Sequence, residues 1–286
     1  MAIYNETTIN ILSYKSKTIQ GTYYQPVEKK IRTVLLYFHG GGFVFGSRLD
    51  LPKSYIEYFT SQGISLLAVD YPLSPETKLD KVLKMTNQLT KWFVDEFLPS
   101  QNQSAYFIIG RSAGAFIALS NSLYTNQLDN QPLGVISLYG YYKLNDASFT
   151  VPNRHYLKYP EVSEKIVATQ LQEEPLFHSQ DQNRYLIYLA ARQKGKWLNM
   201  VLDEPKLIKE LSIQNNQLKE LPPLFLASAT KDPDVPSRQS RQLAKSHSNT
   251  RLHLVDLEEH DFDRTHEKTL GIELYQKIIR WIFELL

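Results

Sequence analysis

The chain has 286 residues, 32 Lys and Arg against 30 Asp and Glu, and no cysteine. Disulfides, cysteine nucleophiles and thiolate metal sites are therefore excluded, and so balanced a charge gives no argument for a nucleic-acid partner. Apolar runs such as VLLYF and SLLAV are far too short to span a bilayer, and MAIYNETTINILSYKSK lacks the basic start and apolar core of a signal peptide, so the default reading is a soluble, cytoplasmic protein.

Segments 7–15 (TTINILSYK) and 17–26 (KTIQGTYYQP) alternate in polarity and predict an antiparallel pair at a sheet edge. TVLLYF (33–38) is apolar without alternation, as expected of a strand buried on both faces. Runs of that type recur at 65–70, 105–110, 134–140, 223–229 and 251–256. Helical patterns lie at 53–63, 79–98, 112–127, 235–247 and 267–286. The alternation predicts an α/β fold, a mostly parallel sheet of about eight strands with helices on both faces. The apolar C-terminal helix suits either a core position or the face of a homodimer.

From residue 141 to 221 no buried-strand run occurs, and helical stretches are separated by Pro, Asn and Gly. This stretch reads as a helical cap inserted within a single domain and folded over the C-terminal edge of the sheet. Its aromatics Tyr141, Tyr142, Tyr156, Tyr159, Tyr185, Tyr188 and Trp197 suit either a pocket wall or plain packing.

G-R-S-A-G (110–114) follows one predicted strand and opens a helix. A serine on so sharp a turn projects its hydroxyl from the top of the sheet, which marks Ser112 as a nucleophile. H-G-G-G (39–42) follows the strand TVLLYF. Its glycines let the backbone approach an oxyanion, so the N–H groups of Gly41, Gly42 and Ala113 are the candidate donors, with His39 orienting the loop. Of seven histidines, His260 lies in the loop after the last strand and before the last helix, where the order serine, acid, histidine places the base, whereas His266 directly borders that helix. The acid belongs after PLFLASA, where Asp232 and Asp234 both occur, Asp232 nearer the strand end.

HGGGFVFG (39–46), DYPLSPE (70–76), GRSAG, DPDVP (232–236) and HDF (260–262) together resemble the hormone-sensitive-lipase-type branch of the α/β-hydrolases. The resemblance covers residues 33–120 closely and 222–262 more loosely. It implies a cofactor-free, metal-free carboxylesterase acting on a small-molecule ester. It selects Asp232, which is followed by proline, as the acid of a triad with Ser112 and His260, and it carries Glu76 over as a residue supporting the active-site loops. Arg111, Pro72, Ala115 and Asp261 depart from that family's pattern. Asp261 beside the histidine should raise the imidazole pKa. The implied chemistry is two-step acyl transfer from short or medium acyl esters to the serine and then to water. A peptidase, lactonase or carbohydrate deacetylase would use the same triad, and a non-catalytic binding protein could share the fold.

Overall fold

Solid hydrophobicity from Thr33 onward fits strands that have neighbours on both sides and helices on both faces. The computed structural model describes residues 2–179 and 182–286. In it β1 (Tyr4–Tyr14) and β2 (Lys17–Pro26) pair antiparallel. They are followed by β3 (Thr33–Phe38), β4 (Ile64–Val69), β5 (Tyr106–Arg111), β6 (Gly134–Leu138), β7 (Leu224–Ala229) and β8 (Thr250–Val255). The eight strands form one sheet in the order β1-β2-β4-β3-β5-β6-β7-β8. β2 meets β4 antiparallel, and every pairing from β4 across to β8 is parallel. The alternating segments thus lie at one edge.

Every residue of β3, β4, β5, β6 and β7 is buried. Successive side chains point to opposite faces. Val34, Leu36 and Phe38 therefore join one core, with the helices Leu79–Trp92 and Ala113–Tyr124, while Leu35 and Tyr37 join the other. The second core is closed by Lys53–Ser61, through Tyr55, Ile56 and Phe59, and by Ile272–Leu285. The last helix buries Leu274, Tyr275, Ile278, Ile279, Trp281 and Ile282, the stripe expected at helical spacing. Its apolar face is therefore spent on the core, where Tyr275 stacks on Tyr55 with ring centroids 3.7 Å apart.

β8 differs from its sequence reading. It is the far edge strand, with Arg251 exposed and Leu252, His253 and Leu254 only half-buried. Having one neighbour, it needs apolar cover on one side only, and Arg251 reaches solvent to pair with Glu284 at 2.8 Å. The predicted helix 79–98 is α-helical over Leu79–Trp92 and then widens into a π-turn at Phe93–Phe97.

Between β6 and β7 lie the helices Glu164–Gln170, Tyr185–Lys194, Trp197–Val201 and Lys206–Leu211. The third was not anticipated from sequence. Gly195 ends the helix before it in a left-handed conformation (φ +63°), and a new helix starts two residues later. Among the described residues no helix is long and apolar enough to cross a membrane.

Candidate active site

β5 runs into the helix Ala113–Tyr124 with Ser112 alone at the corner. Ser112 has φ +52° and ψ −116°, a conformation that non-glycine residues avoid and that aims its side chain off the sheet top. The turn closes only because Gly114 lacks a side chain. A Cβ there would lie 2.2 Å from the Phe38 carbonyl oxygen and 2.4 Å from that of His39. The start of the helix therefore sits directly against the end of β3, and the H-G-G-G loop after β3 is brought beside Ser112.

His260 comes from the loop after β8, and Asp232 from the loop after β7. The His260 Nδ1–H donates to Asp232 Oδ2 at 2.7 Å, which leaves Nε2 as an acceptor for the Ser112 hydroxyl at 2.9 Å. The backbone N–H groups of Asp234 and Val235 hold Asp232 Oδ1 at 2.9 Å each. Parallel strands deliver all three side chains to the same end of the sheet, although they are far apart in sequence. Burial alone would lower the imidazole pKa. The Asp232 carboxylate, with contributions from Asp234 and Asp261, outweighs burial and pushes it up to about 9. Burial raises the Asp232 carboxyl, opposed by the imidazole.

Asp234, the other acid in the same loop, has a different partnership. It lies 3.9 Å from His260 Nε2, faces the cavity, and takes the Arg192 guanidinium at 3.0 Å and the Tyr188 hydroxyl at 2.9 Å. Burial would raise its pKa, but Arg192, His260 and Tyr188 hold it below the usual carboxylate value.

In the glycine loop Gly41 has φ +105° and Gly42 φ +59°. A Cβ on Gly42 would meet the Tyr188 ring at 2.3 Å. Among the described residues no acceptor takes the N–H of Gly41, Gly42 or Ala113, so these donors remain open beside Ser112. His39 is fully buried, donates Nδ1–H to the Gly40 carbonyl at 2.7 Å and stacks on Tyr71, whose hydroxyl donates to the His39 carbonyl at 2.8 Å. Burial lowers the His39 pKa, which keeps the ring neutral. Glu76 lies outside the reacting centre. It pairs with Arg184, which also donates to the carbonyls of Val44 (2.7 Å), Ser74 (2.9 Å) and Gln170 (3.0 Å). This pair knots the glycine loop, the DYPLSPE turn and the 141–221 region together.

Ser112 opens onto a cavity of about 720 Å³ lined by Gly41, Gly42, Phe45, Tyr156, Tyr185 and Tyr188, among others. Of the aromatics singled out at 141–221, those three tyrosines reach the cavity, whereas Tyr141, Tyr142 and Trp197 are buried in the core and Tyr159 is exposed. Three residues of the site were missed from sequence. Tyr139, Arg192 and Asp263 carry no motif of their own, and only their packing against His260, Asp234 and Arg111 gives them a place.

Arranged in this way, a hydroxyl with a proton acceptor, an acceptor with an orienting carboxylate, and open N–H donors can together attack a carbonyl and hold the resulting oxyanion. The pattern of the family described as alpha/beta hydrolase fold matches residues 35–264. A Phoma sp. protein described as a probable carboxylesterase is 25% identical over 241 residues, 72% of this chain and 70% of that protein. An acetyl esterase of Salmonella schwarzengrund is 30% identical over 123 residues, 41% of this chain and 37% of that enzyme. Among solved structures, an alpha/beta hydrolase superfamily protein from Enterococcus faecalis matches with a TM-score of 0.85 at 26% identity, covering 98% of this chain and 99% of that one.

Proposed function

The chain belongs to the alpha/beta hydrolase fold family, and on that premise we propose that it is a serine hydrolase cleaving carboxylic esters of short to medium acyl length. The observation that carries the proposal is the relay from Asp232 through His260 to Ser112, at 2.7 and 2.9 Å, at a serine held at φ +52°.

His260 Nε2 takes the proton as Ser112 Oγ forms its bond to the ester carbonyl carbon. The carbonyl oxygen becomes an oxyanion against the N–H groups of Gly41, Gly42 and Ala113. As the tetrahedral intermediate collapses, the C–O bond to the alcohol breaks and His260 returns the proton to the leaving oxygen. Water then attacks the acyl-enzyme with His260 again as base, releasing the acid and restoring the serine. Asp232 keeps the proton on Nδ1 and stabilises the imidazolium between transfers. Residues 141–221 act as a cap within a single domain, and Tyr156, Tyr185 and Tyr188 bound the acyl chain or alcohol. This aromatic wall, in a cavity of about 720 Å³, supports a compact substrate over a long lipid chain.

Covalent capture tests the proposal. A fluorophosphonate probe should modify the peptide that contains Ser112, identified by mass spectrometry, and should leave Ser112→Ala unmodified. Equal labelling of both proteins contradicts it.

A further inference from the structure

Arg111, one of the departures from the family's pattern and the residue before the nucleophile, is almost fully buried. Its Nη2 lies 3.0 Å from both carboxylate oxygens of Asp263, and its Nε donates to the Tyr139 hydroxyl at 2.5 Å. That hydroxyl in turn donates to Asp263 Oδ1 at 2.9 Å, closing a three-membered ring of hydrogen bonds with no exposed member. Arg111 is adjacent to Ser112, and Asp263 follows His260 by three residues. Tyr139, directly after β6, packs in an edge-to-face contact with the His260 imidazole, with centroids 4.9 Å apart. It does so from a left-handed backbone conformation (φ +42°), anchored by its N–H on the Ala227 carbonyl at 2.6 Å. Strain of that kind persists only where the surroundings enforce it. The hydroxyls of Tyr55 and Tyr275 bind the Asp263 carbonyl and carboxylate on the far side, at 2.5 and 3.3 Å.

A buried ion pair is weak evidence for stability, since apolar residues of equal volume commonly do as well. What this one does supply is a fixed geometry. Two loops from different strands, one carrying the nucleophile and one the base, are tied through one carboxylate, while the ring that bridges the tie also bears on the imidazole.

Resting on the serine-hydrolase reading, we propose that Arg111, Tyr139 and Asp263 are a positioning unit that sets the His260 ring relative to Ser112. None of the three moves a proton in the reaction. Displacing a base by about 1 Å costs up to roughly a hundredfold in rate, so the unit acts on kcat rather than on substrate affinity.

Tyr139→Phe is the mildest probe, because it keeps the ring on His260 and removes only the bridging hydroxyl. With a short p-nitrophenyl ester, kcat should fall on the order of tenfold at unchanged KM, and the rate of fluorophosphonate labelling should fall in step, with the melting temperature little changed. Asp263→Asn should lose more, and Tyr139→Phe/Asp263→Asn should be no slower than Asp263→Asn, because both act through one unit. Should Asp263→Asn fail to fold, Tyr139→Phe decides alone. A kcat within about twofold of wild type, a change in KM only, or multiplicative losses in the double variant overturns the proposal. Wild type and Ser112→Ala run alongside. If wild type has no Ser112-dependent turnover, the functional reading fails and the inference falls with it. If that turnover is present but Tyr139→Phe is silent, the inference fails by itself.

Discussion

Replacing Asp234 by asparagine removes a negative charge 3.9 Å from His260 Nε2. At an effective dielectric constant of about 20, that charge is worth about 4 kcal/mol to an imidazolium, or about 3 pKa units. Arg192, 3.0 Å from the Asp234 carboxylate, offsets part of this in the wild type. The Arg192 charge is the same in both proteins and only the Asp234 charge is lost, so the His260 pKa must fall. The carboxylates around His260 push its pKa up to about 9, and the base works only when neutral, so kcat/KM should rise with pH through that range. In Asp234→Asn the rising limb should move down by about 1 to 3 pH units. Stability should also drop, by about 3–5 kcal/mol in urea denaturation, because a buried guanidinium loses its partner. The assay is the pH profile of kcat/KM on one short ester for the two proteins. An unmoved or raised midpoint would refute the claim that Asp234 stabilises the imidazolium.

Gly42→Ala forces a side chain into a φ of +59° and against the Tyr188 ring at 2.3 Å, so the donor N–H must shift. A kcat loss of about a hundredfold or more is expected in steady-state assays. Glu76→Gln leaves Arg184, 4% exposed, without its carboxylate, and should cost about 3–5 kcal/mol in chemical denaturation with a smaller effect on turnover. The raised pKa of His260 adds folding stability that is complete below its ordinary 6.5 and is lost as the pH climbs through about 9. Any advantage of wild type over His260→Gln in urea midpoint should therefore shrink across that window.

Much of this architecture was legible because each part has a local cause. The change from alternating residues at 7–26 to solid apolar runs from Thr33 marks where the sheet passes from an edge to a covered interior. Ser112 and the glycines could be found because a tight turn and a close backbone approach constrain residue type at fixed spacing. Chain order pointed to His260 and to the loop holding Asp232 and Asp234, and the family resemblance chose Asp232 between them; the structure places Asp232 and Ser112 within hydrogen-bond distance of the two His260 nitrogens. The partnership of Arg111 with Asp263 spans 152 positions and has no periodic or motif signature. The part played by Asp234 was hidden for a similar reason. Its neighbours Arg192 and Tyr188 come from a helix whose docking only tertiary packing fixes. β8 was read as interior because RLHLVD is apolar enough for either place. Its position at the edge is a matter of strand pairing, with β7 as its one neighbour in the sheet.

Hydrolysis of p-nitrophenyl esters from acetate to palmitate, by wild type and by Ser112→Ala, tests whether Ser112 is an ester-cleaving nucleophile. Turnover of short and medium esters should fall off at long chains and be lost in the alanine variant. Retained turnover in folded Ser112→Ala, or no turnover of any ester by the wild type, would contradict that role.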